Sequence, residues 1–132
     1  KNRQPGVIRA ADNLFSKITN GTYSHIIKPI ESEDILVEDA NHKRKAVQEM
    51  SRGTLEQLYL AMRFGLIDEY ESRSEPLPAV LDDVFVNFDD ERVETLIEVL
   101  NQFGEQRQVI VLTCHQRSLE AYKRIGANQI TV

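Results

Sequence analysis

Residues 77–92, LPAVLDDVFVNFDDER, are the stretch that decides the fold class of this chain. An apolar run at Ala79–Leu81 resumes at 84–86, after Asp82 and Asp83. Such a run predicts a strand of a parallel sheet with both faces buried. Two adjacent carboxylates are costly inside such a strand, because an unpaired buried charge is strongly unfavourable and like charges repel. They are tolerated at the carboxyl end of a strand, where open α/β sheets bind ligands, although both acids could simply reach solvent.

The rest of the second half alternates between helical and strand patterns. These segments are a helix over 92–103 opened by the acids at 89–91, a strand over 108–113, a helix over 118–124 and a strand over 128–132. The order β-α-β-α-β predicts a parallel sheet with right-handed crossovers. The first two strands then end at the same edge of the sheet, so we expect Asp82, Asp83 and His115 to converge there.

The first half predicts a helix, a small antiparallel meander and a second helix. The segments are a helix over 5–18, strands over 22–29, 35–38 and 45–48, and a helix over 55–70. Ser51 and Thr54 are both candidate N-caps of the second helix, and Gly53 would let the backbone approach a ligand closely. A helix start with free amides, a hydroxyl and Arg52 suits an anion. Alternatively, the cap binds nothing and Arg52 pairs with a surface acid.

Composition restricts the classes of function. The chain has 132 residues, 41% of them apolar and 28% charged, which is typical of one soluble domain with a core. The sequence contains no apolar run of bilayer length, so we expect no membrane partner. A single cysteine, Cys114, excludes an internal disulfide and fits a reducing, cytoplasmic location. The net charge is −5, and this segment has no basic stripe to bind a phosphate backbone, although DNA is not excluded as a partner of a larger assembly. The histidines and Cys114 show no zinc-finger spacing.

Four short segments follow one another along the chain: MSRGT at 50–54, VLDD at 80–83, NFD at 87–89 and TCH at 113–115. In this order they resemble the signature motif, Walker B motif, D-loop and switch-histidine loop in the C-terminal lobe of the ABC-type ATPase head of SMC-like proteins. That family includes chromosome-maintenance proteins, double-strand-break-repair ATPases and large bacterial coiled-coil ATPases. The resemblance covers roughly 11–132.

The resemblance implies ATP and Mg²⁺ as ligands. It implies a place for Asp82 on the Mg²⁺ shell and catalytic roles for Asp83, as the water-activating acid, and His115. Nucleotide-binding roles are implied for five further residues: Ser51, Arg52, Gly53, Thr54 and Asp89. Ser51 and the amide of Gly53 would reach the ATP of a second head in a homodimer, and Asp89 would couple the two sites.

The sequence contains no GxxxxGK[ST] motif, so no P-loop is present to hold phosphates. In the family this loop lies in an N-terminal lobe of the same polypeptide, beyond a long coiled coil. We therefore expect residues 1–20 to end the coiled-coil arm and 21–132 to form the C-terminal lobe. The fragment alone should be inactive, and the whole protein would act in DNA maintenance or repair.

Two departures from the family pattern leave alternatives open. Asp83 stands where the family usually has Glu, and Arg52 replaces the first glycine of the signature motif. The chain could therefore be a slow or inactive head that serves as a structural dimerisation module. A second alternative is a receiver-like α/β module with an acidic Mg²⁺ pocket, although no Lys ends a late strand here.

Overall fold

A computed structural model describes residues 6–84 and 88–132. The chain divides into two compact units, Lys1–Glu75 and Pro76–Val132, and each is described by itself. The first unit contains α1 (Gly6–Ile18), β1 (Tyr23–Ile27), β2 (Leu36–Asp39), β3 (Arg44–Ala46), a 3₁₀ turn (Val47–Glu49) and α2 (Arg52–Glu71). The second contains β4 (Ala79–Asp82), α3 (Asp90–Phe103), β5 (Val109–Leu112) and α4 (Gln116–Arg124).

The first unit is built on the packing of α1 against α2. Small residues let the two helices approach closely, since Ala11 and Ala61 are fully buried. At Gly65, an added Cβ would lie 2.8 Å from the carbonyl oxygen of Val7 and 2.9 Å from the amide nitrogen of Ala11. The buried amide of Gln57 adds a polar contact by donating to the carbonyl of Ile18 over 3.1 Å.

The buried face of α2 differs from the one predicted by its large apolar residues. The helical spacing of the apolar residues over 55–70 places Tyr59 and Leu66 on the predicted core face, yet both are exposed. The core face instead carries Leu58, Leu60, Ala61, Phe64 and Gly65. The helix is rotated relative to the expectation because its closest contact is made by its smallest residues.

The meander forms as the β-branched pattern predicts. Strands β1, β2 and β3 pair antiparallel in that order, with buried Ile26 opposite buried Val37. The carboxylate of Asp12 ties the sheet to α1, because its Oδ1 accepts a 2.6 Å hydrogen bond from the Ile26 amide. Partial burial raises the pKa of Asp12, and the hydrogen bond to Ile26 and neighbouring His25 oppose that shift.

The second unit contains a parallel pair of strands, which together with the antiparallel meander of the first unit confirms the predicted mixed α/β fold class; of the predicted β-α-β-α-β order, the described residues form β-α-β followed by a helix. Strands β4 and β5 are parallel, with Ala79 opposite Val109 and Asp82 opposite Leu112. Helix α3 connects them and contacts α4. The buried side chains of α3 are Val93, Leu96, Ile97, Val99, Leu100 and Phe103.

Two expectations about this sheet are wrong. The strands are not buried on both faces, since Val80 is 61% exposed, Ile110 40% and Leu112 54%. Residues 128–132 form no strand in the described chain, and Ile130 and Val132 are exposed. A segment becomes a strand only when it hydrogen-bonds to a neighbouring strand, and an apolar face of a sheet is buried only when another element packs on it. Within the described residues, β4 and β5 pair only with each other.

Strand β4 ends at Asp82, and the chain turns at Asp83 and Val84. The continuation of the apolar run at 85–87 lies outside the described residues. None of the helices formed by the described residues combines the length and apolar character needed to cross a membrane.

Candidate functional site

The site is built where the two parallel strands end. Asp83 follows the last residue of β4, and its amide donates to the carbonyl of Leu112 over 3.0 Å. This bond extends the ladder one residue past the strand and holds Asp83 against the loop that leaves β5. Asp83 has a φ of 45°, a left-handed conformation that is uncommon outside glycine and most tolerated by Asp and Asn. The chain therefore bends sharply at this carboxylate.

Three side chains come together at this bend. One ligand-type atom each from Asp83, Cys114 and His115 lies within 4.8 Å of the other two. Asp83 is half-buried, whereas Cys114 and His115 are exposed. The structure thus places Asp83 next to His115, as the parallel topology led us to expect. Asp82 lies one residue earlier, exposed, and opposite Leu112 in the register.

One oxygen of Asp83 is unsatisfied. Its Oδ1 is buried and has no hydrogen-bond partner among the described residues. A buried polar atom without a partner is costly, so such an atom marks a place where a proton donor or a cation is favourable. An acceptor of this kind can take a proton from a bound water or ligate a metal ion.

Tyr122 was not predicted as a site residue from the sequence. It interacts electrostatically with Asp83. Burial raises the pKa of Tyr122, and the negative charge of Asp83 raises it further. Tyr122 shares the buried face of α4 with Ser118 and Ala121. The sequence did offer a signal for Tyr122: it is an aromatic residue with a polar hydroxyl on the apolar face of the helix that follows the switch-histidine loop.

The loop that carries Cys114 and His115 is stabilised locally. The amide of His115 donates to Oγ1 of Thr113 over 3.1 Å. His115 is also the N-cap residue of α4, but its imidazole makes no capping hydrogen bond. The backbone is therefore held at this position while the ring stays available for a ligand.

Asp89, expected to act in the D-loop, is engaged in its own helix. As the N-cap of α3 it accepts a 2.9 Å hydrogen bond from the Arg92 amide. Its other oxygen lies 2.7 Å from the Arg92 guanidinium. Asn87, the first residue of this motif, lies outside the described residues.

The predicted signature segment lies in the first unit, at the start of α2. Ser51 is the N-cap, because its hydroxyl oxygen accepts a 3.2 Å hydrogen bond from the Thr54 amide and also donates to Thr54 Oγ1 over 2.9 Å. Arg52 pairs with Glu56 at 3.5 Å on the exposed surface. Gly53 lies in the first turn. The N-cap is thus Ser51 rather than Thr54. Arg52 pairs with a surface acid, as the alternative without a bound anion predicted.

Comparison with known proteins places these residues in a shared fold. No family model matches the chain. YhaN of Bacillus subtilis (strain 168), an uncharacterised protein, is 35% identical over 119 residues. That alignment covers 89% of this chain but only 12% of YhaN, so the chain spans a small part of this relative's length.

Solved structures of SMC heads share the fold. An SMC ATPase from a study of ATP-driven dimerisation and DNA-stimulated activation matches with a TM-score of 0.70 and 20% identity, over 88% of this chain and 71% of that one. The SMC head domain of Thermotoga maritima gives 0.65 and 22%, over 91% and 41%. The Smc head of Pyrococcus furiosus bound to the C-terminal domain of ScpA gives 0.64 and 20%, over 88% and 30%. The chain therefore has the fold of the C-terminal lobe of an SMC head, which confirms the fold predicted from the motifs and argues against a receiver-like module.

Proposed function

We propose that this chain is the C-terminal half of an SMC-like head that binds and hydrolyses ATP when it is joined to a P-loop lobe. One observation carries the proposal: Asp83, whose Oδ1 has no hydrogen-bond partner among the described residues, lies beside His115 at the carboxyl edge of a parallel strand pair in an SMC-head fold. Phosphoryl transfer to water needs a group that orients the nucleophile and groups that stabilise phosphate charge. Asp83 would accept the proton of the attacking water, and His115 would contact the terminal phosphate.

Asp82 is the residue that would hold Mg²⁺. Its carboxylate is exposed at the end of β4, and oxygen ligands at such a strand end suit this ion. When bound, Mg²⁺ supplies charge neutralisation of the phosphates. Two successive acids thus have separate roles, because side chains alternate between faces along a strand and the bend at Asp83 removes that residue from the strand.

The exposed face of the parallel pair supports a P-loop lobe of the same polypeptide as the partner. Val80, Ile110 and Leu112 all lie on this face and are at least 40% exposed. Asp82 shares their side of the pleat, two residues after Val80. A parallel sheet is normally covered on both faces, so an apolar surface with an acid at its edge suits a lobe that brings phosphates to Asp82.

The N-terminus of α2 would act on the ATP of a second head in a homodimer. Ser51 has an exposed position at the positive end of a 20-residue helix, where free amides favour an anion. Gly53 and Thr54 would contribute from the first turn, and Arg52 could exchange Glu56 for phosphate. Asp89 would lie at the same interface, and α1 would continue the coiled-coil arm. DNA, and a role in its maintenance or repair, would involve the whole protein.

The test is ATP hydrolysis by this chain joined to its P-loop lobe, with Asp83→Asn as the variant. Asn fits the left-handed backbone and keeps the side-chain size, but it cannot accept the proton. We expect turnover to fall by at least the 10²-fold typical of a general base while ATP-dependent dimers accumulate. Asp34→Asn, an exposed acid in the first unit, is the matched control and should leave turnover unchanged.

A structural dimerisation head is the second candidate, favoured by Asp83 itself, since its side chain is one methylene shorter than the Glu usual in the family. It predicts ATP-dependent dimers with little turnover in either protein. Equal turnover by the parent and Asp83→Asn heads would contradict the catalytic role of Asp83.

A further inference from the structure

We propose that Asp83, Cys114 and His115 form a binding site for a thiophilic divalent transition metal of the Zn²⁺ class. The three residues come from the bend after β4 and the loop after β5, and they offer one carboxylate, one thiolate and one imidazole. The binding itself is independent of the proposed ATPase function, but its regulatory consequence, given below, rests on that function.

The geometry is close to that of a metal site. Zn²⁺ binds sulfur at about 2.3 Å and nitrogen or oxygen at about 2.0–2.2 Å, so neighbouring tetrahedral ligands lie roughly 3.3–3.8 Å apart. The three donor atoms here already lie within 4.8 Å of one another. Closing the remaining distance of roughly 1 Å requires only small χ rotations, which the exposed side chains of Cys114 and His115 can make. Three protein ligands leave the fourth position open for water.

The unsatisfied oxygen of Asp83 is a second, independent observation that favours a cation here. Asp83 Oδ1 is buried without a hydrogen-bond partner in the described chain, and its residue is held at a φ of 45°. Its position is set by the bond from its amide to the Leu112 carbonyl, at the end of the strand from which Cys114 also follows. A metal ion bound through this oxygen would satisfy it.

The chemistry of the donor set separates this site from the Mg²⁺ site. Thiolate and imidazole select Zn²⁺ and related ions, whereas Mg²⁺ requires oxygen ligands in an octahedral arrangement. Asp82 offers oxygen alone, and Cys114 with His115 offers sulfur and nitrogen. Binding converts the thiol to a thiolate, and its proton is released to solvent.

The consequence for a working head is inhibition. Metal bound to Asp83 and His115 would occupy both residues assigned to hydrolysis, so turnover should fall and should return when a chelator removes the metal. The open fourth position could still accept a water, but that water would no longer be oriented by a free Asp83 carboxylate.

Cobalt is the direct probe, because Co²⁺ bound to a thiolate gives a sulfur-to-metal charge-transfer absorption. We expect metal-free chain to bind one Co²⁺ with this absorption, Zn²⁺ to displace it, and excess Mg²⁺ to leave it. Cys114→Ser should abolish the absorption. His115→Gln and Asp83→Asn should weaken binding by at least about 10-fold, the lower end of what outer-shell changes already cost a metal site.

The matched control is His42→Gln. His42 is also an exposed histidine beside a carboxylate, with Nδ1 3.4 Å from Glu38 Oε1, but no cysteine accompanies it. We expect this variant to bind Co²⁺ as the parent chain does. The proposal is overturned if the parent chain shows no charge-transfer absorption, or if Cys114→Ser binds Co²⁺ with unchanged affinity.

The outcomes separate this inference from the proposed function. If the head hydrolyses ATP but the chain fails to bind Co²⁺, the metal site is ruled out and the ATPase proposal stands. If the chain binds Co²⁺ but the head hydrolyses no ATP with Mg²⁺ present and Co²⁺ and Zn²⁺ absent, the metal site stands and the ATPase proposal fails. Circular dichroism of each variant establishes that it is folded.

Discussion

Replacing Gly65 with Ala tests the close approach of α1 and α2. The new Cβ would lie 2.8 Å from the Val7 carbonyl oxygen, 2.9 Å from the Ala11 amide nitrogen and 3.1 Å from the Ala11 Cβ. All three distances are shorter than an ordinary van der Waals contact, and two of the atoms belong to the backbone, so α1 itself must move.

The magnitude follows from two opposing effects. Overpacking a well-packed interface costs about 1–3 kcal/mol. The helix gains about 0.5–1 kcal/mol when Gly becomes Ala, because the unfolded chain loses freedom. The net effect is a destabilisation of about 1 kcal/mol, which lowers the Tm of a unit of this size by about 4–8 °C.

Thermal and urea denaturation of the parent chain, Gly65→Ala and Gly104→Ala would measure the effect. Gly104 is the matched control, because its φ is −74° and the nearest atom to an added Cβ is 3.4 Å away. We expect Gly104→Ala to leave stability unchanged or to raise it by up to about 1 kcal/mol, because it gains the same unfolded-state effect without the clash. A Gly65→Ala chain as stable as the parent would refute the reasoning, because α1 and α2 would then accommodate a methyl group without the predicted clash.

Three further substitutions test individual contacts by chemical denaturation. Gln57→Leu removes the buried donor to the Ile18 carbonyl and should cost about 1–3 kcal/mol, and an unchanged midpoint would show that the bond contributes nothing. Ser51→Ala removes the cap of α2 and should cost about 1 kcal/mol, whereas equal stability would mean that the hydroxyl does not cap the helix in solution. Asp12→Asn keeps an acceptor for the Ile26 amide but cannot titrate. The folded pKa of Asp12 is raised above its ordinary value of 3.8. Between pH 3.8 and the folded pKa, the folded parent chain therefore binds more protons than the unfolded chain. Its stability relative to Asp12→Asn should therefore fall as pH rises through the folded pKa, and a relative gain would contradict the assigned shift.

Much of the fold was predictable because local pattern and tertiary structure agree. The order of helices and strands follows from periodicity, and the parallel pairing of β4 with β5 follows from the helix between them. The adjacency of Asp83 and His115 also follows, since parallel strands end at one edge. These features depend on neighbours in the sequence or on a general rule of topology.

The errors have a common physical cause. The orientation of α2 depends on the close contact of Gly65 with α1. The spacing of the large apolar residues gives no information about that contact. The exposed face of β4 and β5 and the absence of a strand at 128–132 depend on covering and pairing elements, and the described residues supply neither.

The site shows the same division between what the sequence predicts and what it cannot. The positions of Asp82, Asp83 and His115 at or just after the strand ends were predictable, because they follow from the local apolar pattern. The left-handed turn at Asp83, its unsatisfied oxygen and its proximity to Tyr122 were not, because each results from three-dimensional packing. Cys114 was placed in the switch-histidine loop and used to infer a reducing compartment, but its approach to Asp83 was not predicted.

We propose that this chain is half of a composite ATPase head that acts as a dimer. The most direct test of this proposal is ATP turnover by the chain combined with its P-loop lobe, beside the chain alone and a combined sample carrying Ser51→Arg, with EDTA excluded and Mg²⁺ present. We predict turnover only in the unmodified combined sample, because Ser51→Arg places a bulky side chain where α2 should meet the ATP of the opposite head. Absence of turnover from folded, associated lobes, or full turnover with Ser51→Arg, would contradict the account.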